Sequence, residues 1–113
     1  MLTVEKLRAF GANVEVGLQR CVGNETLYLA LVKKAIRDPA YDQLREAAEK
    51  KDLDRGFEIA HALKGVTANL SLTPLCDLIS GITELFRHKT DADYVPIAAA
   101  IIAKRDELTA LDN

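Results

Sequence analysis

The sequence has no tryptophan, three Phe, three Tyr, two cysteines, two histidines and three prolines among its 113 residues. Each shortage excludes something. With so few rings, a core has to be built from Leu, Ile, Val and Ala, and Ala and Leu favour helix. Cys21 and Cys76 lie far apart and form no C-x-x-C pair. In a cytosolic chain that pattern predicts two reduced thiols. Cys76 falls near the apolar stripe of its segment and reads as a small core residue. A ferritin-like di-metal bundle needs two E-x-x-H motifs and two further glutamates. Only Glu58-Ile59-Ala60-His61 has that spacing, so no metal site is expected. The formal net charge is -2, with no basic patch of the kind nucleic-acid binding requires. No apolar run approaches the ~20 residues of a membrane span. The opening Met1-Leu2-Thr3-Val4-Glu5-Lys6 lacks the basic-then-apolar pattern of a secretory signal. The expectation is a cytoplasmic monomer that binds neither membrane nor nucleic acid. A Gly-rich nucleotide loop and an acidic metal motif are both missing, which excludes a kinase.

Strand-type alternation is also missing, and helical periodicity takes its place. Short helices are predicted over residues 4–10, ended by Gly11, and over 14–21. Gly23-Asn24 then breaks the chain, and Asn24 can cap a helix over 25–37. The apolar face of that helix is Leu27, Tyr28, Leu31, Val32 and Ile36. Asp38-Pro39 pairs a cap with a proline that loses nothing in a first turn. The helix after it covers 39–50, with Tyr41, Leu44 and Ala48 inward. Residues 54–70 form the next helix. Thr73-Pro74 repeats the capping device ahead of a helix over 74–88, with a stripe of Leu75, Leu78, Ile79, Ile82 and Leu85. After a polar turn the last helix runs to about Leu111 and carries Ile97, Ile101 and Leu108, with Pro96 limiting its start. The chain suffices for one domain with one core. Short loops between amphipathic helices imply antiparallel neighbours. The predicted fold is all-α: an antiparallel up-and-down four-helix bundle over about residues 38–112, covered by the short N-terminal helices.

The most informative segment is Ala60-His61-Ala62-Leu63-Lys64-Gly65-Val66-Thr67-Ala68-Asn69-Leu70. At ~100° per residue, Ile59, Leu63, Val66, Thr67 and Leu70 gather on one side of a helix. His61 points roughly 180° from their centre, with Phe57, Lys64, Gly65 and Ala68 around it. An isolated exposed histidine is ordinarily a solvated surface residue. Here an ammonium and a bare backbone position stand one turn away on the same face. A glycine inside a helix costs ~1 kcal/mol relative to Ala, so the missing side chain needs a reason. Phe57, Gly65 and Ala68 together read as a docking surface. His88, by contrast, falls at a helix C-terminus, where a cationic imidazole is favourable.

The string His61-Ala62-Leu63-Lys64-Gly65 with Asn69-Leu70 resembles the signature H-x-L-K-G-x-x-x-x-L of the histidine-phosphotransfer (HPt) family. Gly11-Ala12-Asn13-Val14-Glu15-Val16-Gly17-Leu18, Gly23-Asn24-Glu25 and Tyr28 are similar to the N-terminal part of small stand-alone bacterial members. The resemblance implies a phosphorelay carrier in two-component signalling, without kinase activity of its own. His61 would accept a phosphoryl group, through Nε2, from the aspartyl phosphate of one receiver domain and pass it to another. Lys64 would offset phosphoryl charge; Gly65 and Ala68 would admit the receiver. The partners implied are receiver domains of response regulators and hybrid histidine kinases, which supply Mg²⁺; this chain would bind no cofactor. Two positions depart from the family pattern. Ser71 stands where a glycine often follows the leucine corresponding to Leu70. Thr83 stands at a position expected to lie level with His61, where a Gln or Glu often orients the imidazole. Thr83 is shorter, so water, Glu84 or Glu58 would have to substitute, or the ring is less restrained. The alternative reading is a helical protein-binding module that has lost phosphotransfer; His61, Lys64 and Gly65 together favour the carrier.

Overall fold

Polar stops divide the chain into seven helices. The computed structural model describes residues 1–113 and places them in α1 (Val4–Phe10), α2 (Val14–Arg20), α3 (Glu25–Ile36), α4 (Ala40–Lys50), α5 (Leu53–Asn69), α6 (Thr73–Arg87) and α7 (Tyr94–Ala110), with no strand. The side chains of Thr3, Asn13, Asn24, Asp52 and Asp93 each accept a first-turn N–H of the helix that follows. A cap of this kind satisfies one of the donors that a helix start leaves open.

Helices α4 to α7 form the up-and-down bundle. Each packs on the next, and α4 closes the ring against α7. The short α1 and α2, together with the 12-residue α3, cover the end where α5 turns into α6. There the Asn13 N–H donates to the Ser71 carbonyl at 2.9 Å, and the Tyr28 hydroxyl donates to the Leu70 carbonyl at 2.8 Å. Burial pushes the Tyr28 phenol up to about 12, so it remains a donor at any ordinary pH. The N-terminal segment is latched to the other terminus: the Leu2 N–H and Arg37 both donate to the Asp112 carboxylate, at 2.9 and 3.0 Å. Ser71 holds a left-handed backbone at φ 57°, the conformation a glycine adopts most easily.

Several sequence expectations shift. The buried line of α5 is Gly56, Ala60, Leu63 and Thr67, continued by Leu70, rather than a stripe through Ile59 and Val66. Val66 is 42% exposed and lines a groove shared with Leu31 and Ala35 of α3. The reason is close packing. A Cβ at Gly56 would come within 2.5 Å of the Phe86 ring, so the small Gly56 and Ala60 take the interior positions of the first half of α5 and the larger Ile59 and Val66 lie at its edge. On α6 the buried set is Leu75, Ile79, Ile82, Thr83 and Phe86, while Leu78 is exposed. On α3, Leu27 and Leu31 are exposed, because that helix covers only the bundle's end. Thr73 does not cap α6: its hydroxyl donates to the Ser71 carbonyl, and Leu72 stands at the cap with no side-chain bond. Cys76 is only half-buried, its thiol directed to the Lys64 carbonyl at 3.9 Å.

Candidate functional site

His61 lies at the middle of α5, exposed, eight residues from either end of the Leu53–Asn69 helix. Relative to the buried line through Ala60 and Leu63, the ring leaves the helix roughly 140° from the centre, and Gly65 roughly 180°. His61 therefore leans to one side of α5, and cross-helix contacts identify that side as the α6 side. Phe57 meets Arg87, whose guanidinium lies 4.9 Å from the ring centroid. The Lys64 carbonyl meets Cys76. On the opposite side of α5, Arg55 reaches Glu46 of α4 at 3.5 Å.

The register of the α5–α6 pair follows from two fixed points, Gly56 against Phe86 and Lys64 against Cys76. It brings Ile79-Ser80-Gly81 level with His61. Ile79 is buried in the core, Ser80 is half-buried and Gly81 is exposed. A Cβ built on Gly65 or on Gly81 would meet nothing within 4 Å. Two glycines in helix interiors thus flank the histidine with open space above them. The sequence pattern around His61 points to Gly65 but not to Gly81, which lies on another helix. The available signal was a glycine interrupting an otherwise well-formed amphipathic helix.

The remaining candidates divide into those that converge on His61 and those that do not. Phe57 stacks on the imidazole, with centroids 5.5 Å apart and planes inclined by 16°. Lys64 is half-buried, as long cationic side chains on a helix commonly are. Neither Lys64 nor Glu58 joins any of the chain's ion pairs. Ala68 is exposed two turns further on, and its carbonyl is taken by Arg20 at 2.6 Å. Thr83 is displaced from the expected level. It lies beside the Phe57–Ile59 stretch, fully buried, and its hydroxyl donates to the Ile79 carbonyl at 2.6 Å. That bond within its own helix removes Thr83 as an orienting donor for the imidazole. Glu84 is engaged by Arg87 at 3.2 Å and lies 3.5 Å from His88. No protein group hydrogen-bonds either nitrogen of His61. Elsewhere, no three His, Cys, Asp or Glu side chains gather as a metal-binding group.

What this geometry offers is an imidazole with both nitrogens free on an exposed helix face, with open space over two glycines and an unpaired cation one turn on. A family model for the Hpt domain matches residues 38–113. The chain belongs to the Hpt domain family. The match opens two residues before α4 and covers the bundle, leaving the covering helices outside it. No curated protein and no solved structure matched. An Hpt domain is a histidine carrier in two-component phosphorelays and works with receiver domains. No helix of this Hpt domain is long and apolar enough to cross a membrane.

Proposed function

We propose that this Hpt domain takes a phosphoryl group on His61 from the aspartyl phosphate of a receiver domain and delivers it to another receiver. The observation that carries the reading is the setting of His61: exposed at mid-helix, both ring nitrogens free, with open space over Gly65 one turn on. Transfer needs a neutral imidazole. The lone pair of Nε2 forms the N–P bond as the acyl-phosphate P–O bond breaks and the aspartate leaves as a carboxylate. The imidazole keeps its Nδ1 proton, so the phosphorylated ring is formally cationic. The reverse displacement charges the next receiver. Such a transition state is helped mainly by positioning and charge neutralisation. Lys64 has no partner to give up before it turns toward phosphoryl oxygens. In this reading Mg²⁺, which offsets phosphoryl charge, comes with the receiver. Partners are receivers of response regulators and of hybrid histidine kinases, and Gly65, Ala68 and Gly81 form the floor on which they settle.

The test is label transfer from phosphorylated receivers in the presence of Mg²⁺. Label on the wild type is expected to be acid-labile and alkali-stable, as a phosphoramidate is. His61→Gln abolishes it and leaves the helix content unchanged, because the ring is outside the core. His88→Gln changes little, since that residue lies beyond the last turn of α6. Label retained in His61→Gln would overturn the assignment.

A further inference from the structure

We propose that Phe57 is a positioning residue that sets the plane of the His61 ring by stacking, the task for which no hydrogen bond is present. The inference rests on His61 being the phosphoryl acceptor, and it moves Phe57 from the docking surface into the support of the reacting group.

A nucleophilic nitrogen attacks along its lone pair, which lies in the plane of the ring. The plane of the imidazole therefore fixes the directions from which phosphorus can approach. An exposed histidine on a helix can turn about two side-chain bonds, and a freely turning ring presents its lone pair correctly only part of the time. Holding a reacting atom in its productive geometry is a large part of what a site contributes. In this structure the usual means of holding an imidazole is absent. The Thr83 hydroxyl is spent on the Ile79 carbonyl, Glu84 is spent on Arg87 and His88, and neither ring nitrogen has a protein partner.

The face of the ring does have a partner. Phe57 stands one turn before His61 on the same side of α5, with the two rings 5.5 Å apart and 16° from parallel. That is the offset-stacked range for aromatic pairs. Phe57 is itself held. It is partly buried and packed on the hydrophobic core, and the Arg87 guanidinium of α6 lies 4.9 Å from its centroid. Glu84 anchors that guanidinium, accepting from Nε at 3.2 Å. The chain of contacts runs from the α6 backbone through Glu84, Arg87 and Phe57 to His61, each member on the exposed side of the α5–α6 pair. Stacking differs from a hydrogen bond in one consequence. It fixes the plane and occupies neither nitrogen, so it leaves the lone pair free. It also leaves a π face against a ring that becomes cationic on phosphorylation, a favourable pairing.

Three variants separate this role from docking and from folding. Phe57→Leu keeps apolar bulk on the core and removes the aromatic face. Phe57→Tyr keeps the face. Arg87→Gln removes the cation that braces Phe57 and leaves α6 helical. The first readout is the NMR shift of the His61 carbon-bound ring protons, with His88 as internal reference. Phe57→Leu should move the His61 signals to the position of an unstacked histidine, and Phe57→Tyr should leave them near wild type. The second readout is single-turnover transfer from a receiver charged with radiolabelled acetyl phosphate, over a range of receiver concentrations. Phe57→Leu should lower the maximal rate about tenfold, or ~1.4 kcal/mol of barrier, with the half-saturating concentration unchanged. Phe57→Tyr should restore the rate, and Arg87→Gln should fall between. A raised half-saturating concentration with an unchanged maximal rate would mean that Phe57 only docks, and would overturn the proposal. So would unmoved His61 signals in Phe57→Leu. A labelled wild type with an equally fast Phe57→Leu defeats this inference alone. A wild type that takes no label from any receiver defeats the assigned function and this inference with it.

Discussion

Gly56 and Gly65 lie on one helix, the first facing α6 and the second facing solvent. At Gly56 an added Cβ would press within 2.5 Å of the Phe86 ring, which is itself stacked on Tyr94 at 4.5 Å. The missing side chain is used inside the molecule: it lets α5 and α6 approach and lets a large ring fill the gap. At Gly65, and likewise at Gly81 on α6, a Cβ would meet nothing within 4 Å. Each of these positions gives up ~1 kcal/mol of helix stability relative to Ala. On the inner side the packing of Phe86 offsets that loss. On the outer side no contact within the chain offsets it; in the proposed function that open space is where the receiver settles. The same residue type, read without its surroundings, carries neither message.

The largest effect is expected on the outer side. Gly65→Leu should remain folded, with a Tm equal to or above wild type, because Leu is the better helix former. Transfer from a phospho-receiver should fall by at least about a hundredfold, equivalent to ~2.7 kcal/mol of barrier. Gly81→Leu sharpens the point. If the receiver rests on both helices, this change on α6 weakens transfer as well; wild-type transfer in Gly81→Leu would confine the contact to α5. Gly56→Ala is the counterpart on the inner side. It should destabilise by about 1–3 kcal/mol, the usual range for overpacking a closed site, with transfer per folded molecule unchanged. The comparison breaks if Gly65→Leu unfolds the protein or Gly56→Ala leaves thermal unfolding untouched.

Much of this was legible in the sequence. Periodicity, the Asn24 cap and the three prolines mark helices that form, whereas α6 starts without the side-chain cap expected from Thr73; short connections correctly imply an up-and-down bundle. The exposure of His61 was legible too, because it survives an error in the centre of the apolar stripe. That error has a physical origin. Counting large apolar side chains gives Ile59 and Val66 weight, whereas the interior side of α5 includes Gly56 and Ala60 beside Leu63, Thr67 and Leu70, and the value of those two is that they are small. Residue identity alone does not say whether a helix packs through bulk or through closeness. The level of α6 beside His61 was out of reach for a related reason. The Leu70-to-Leu72 turn includes Ser71 in a left-handed conformation, and the pairing of Gly56 with Phe86 sets the register. Sequence spacing consequently puts Thr83 level with His61, whereas it lies beside Phe57–Ile59 with its hydroxyl bonded within α6. The stacking of Phe57 on His61 follows from their one-turn spacing, but the bracing by Arg87 needs the register as well.

Lys64 tests whether the outer side works by clearance alone. Its ammonium has no partner in the chain, and an exposed ion pair contributes only ~0–1 kcal/mol. A docked receiver would exclude water and strengthen the attraction to phosphoryl oxygens. Lys64→Ala should slow single-turnover transfer by about ten- to a hundredfold, or 1.4–2.7 kcal/mol. Lys64→Arg should recover part of that loss by keeping the charge, but not all, since the planar fork is bulkier. Equal rates for Lys64→Ala and wild type would leave Gly65 and Gly81 as the whole of the outer side's contribution and make Lys64 a solubilising residue.

The smallest effect is expected far from both faces, where the termini meet. Asp112 accepts from Arg37 and from the Leu2 N–H, and these contacts hold its carboxyl below the ordinary aspartate value of 3.8. A carboxyl lowered in the folded state stabilises fully above its unfolded value, and that contribution is lost as pH falls through the lowered folded value. The latch between the N-terminal segment and α7 should thus be intact at neutral pH and open only in acid. Asp112→Asn removes the charge while keeping an oxygen that can accept the Leu2 N–H. At neutral pH it should slightly lower thermal stability and speed hydrogen exchange at the first amides of α1. As pH falls through the lowered folded value, wild type and variant should converge, because the wild-type carboxyl is then protonated as well. Transfer at neutral pH should be the same in both, since the latch touches neither His61 nor the glycine-cleared face. A large loss of transfer in Asp112→Asn would show that the covering helices communicate with the outer face of α5, and the clean separation of inner packing from outer clearance would fail.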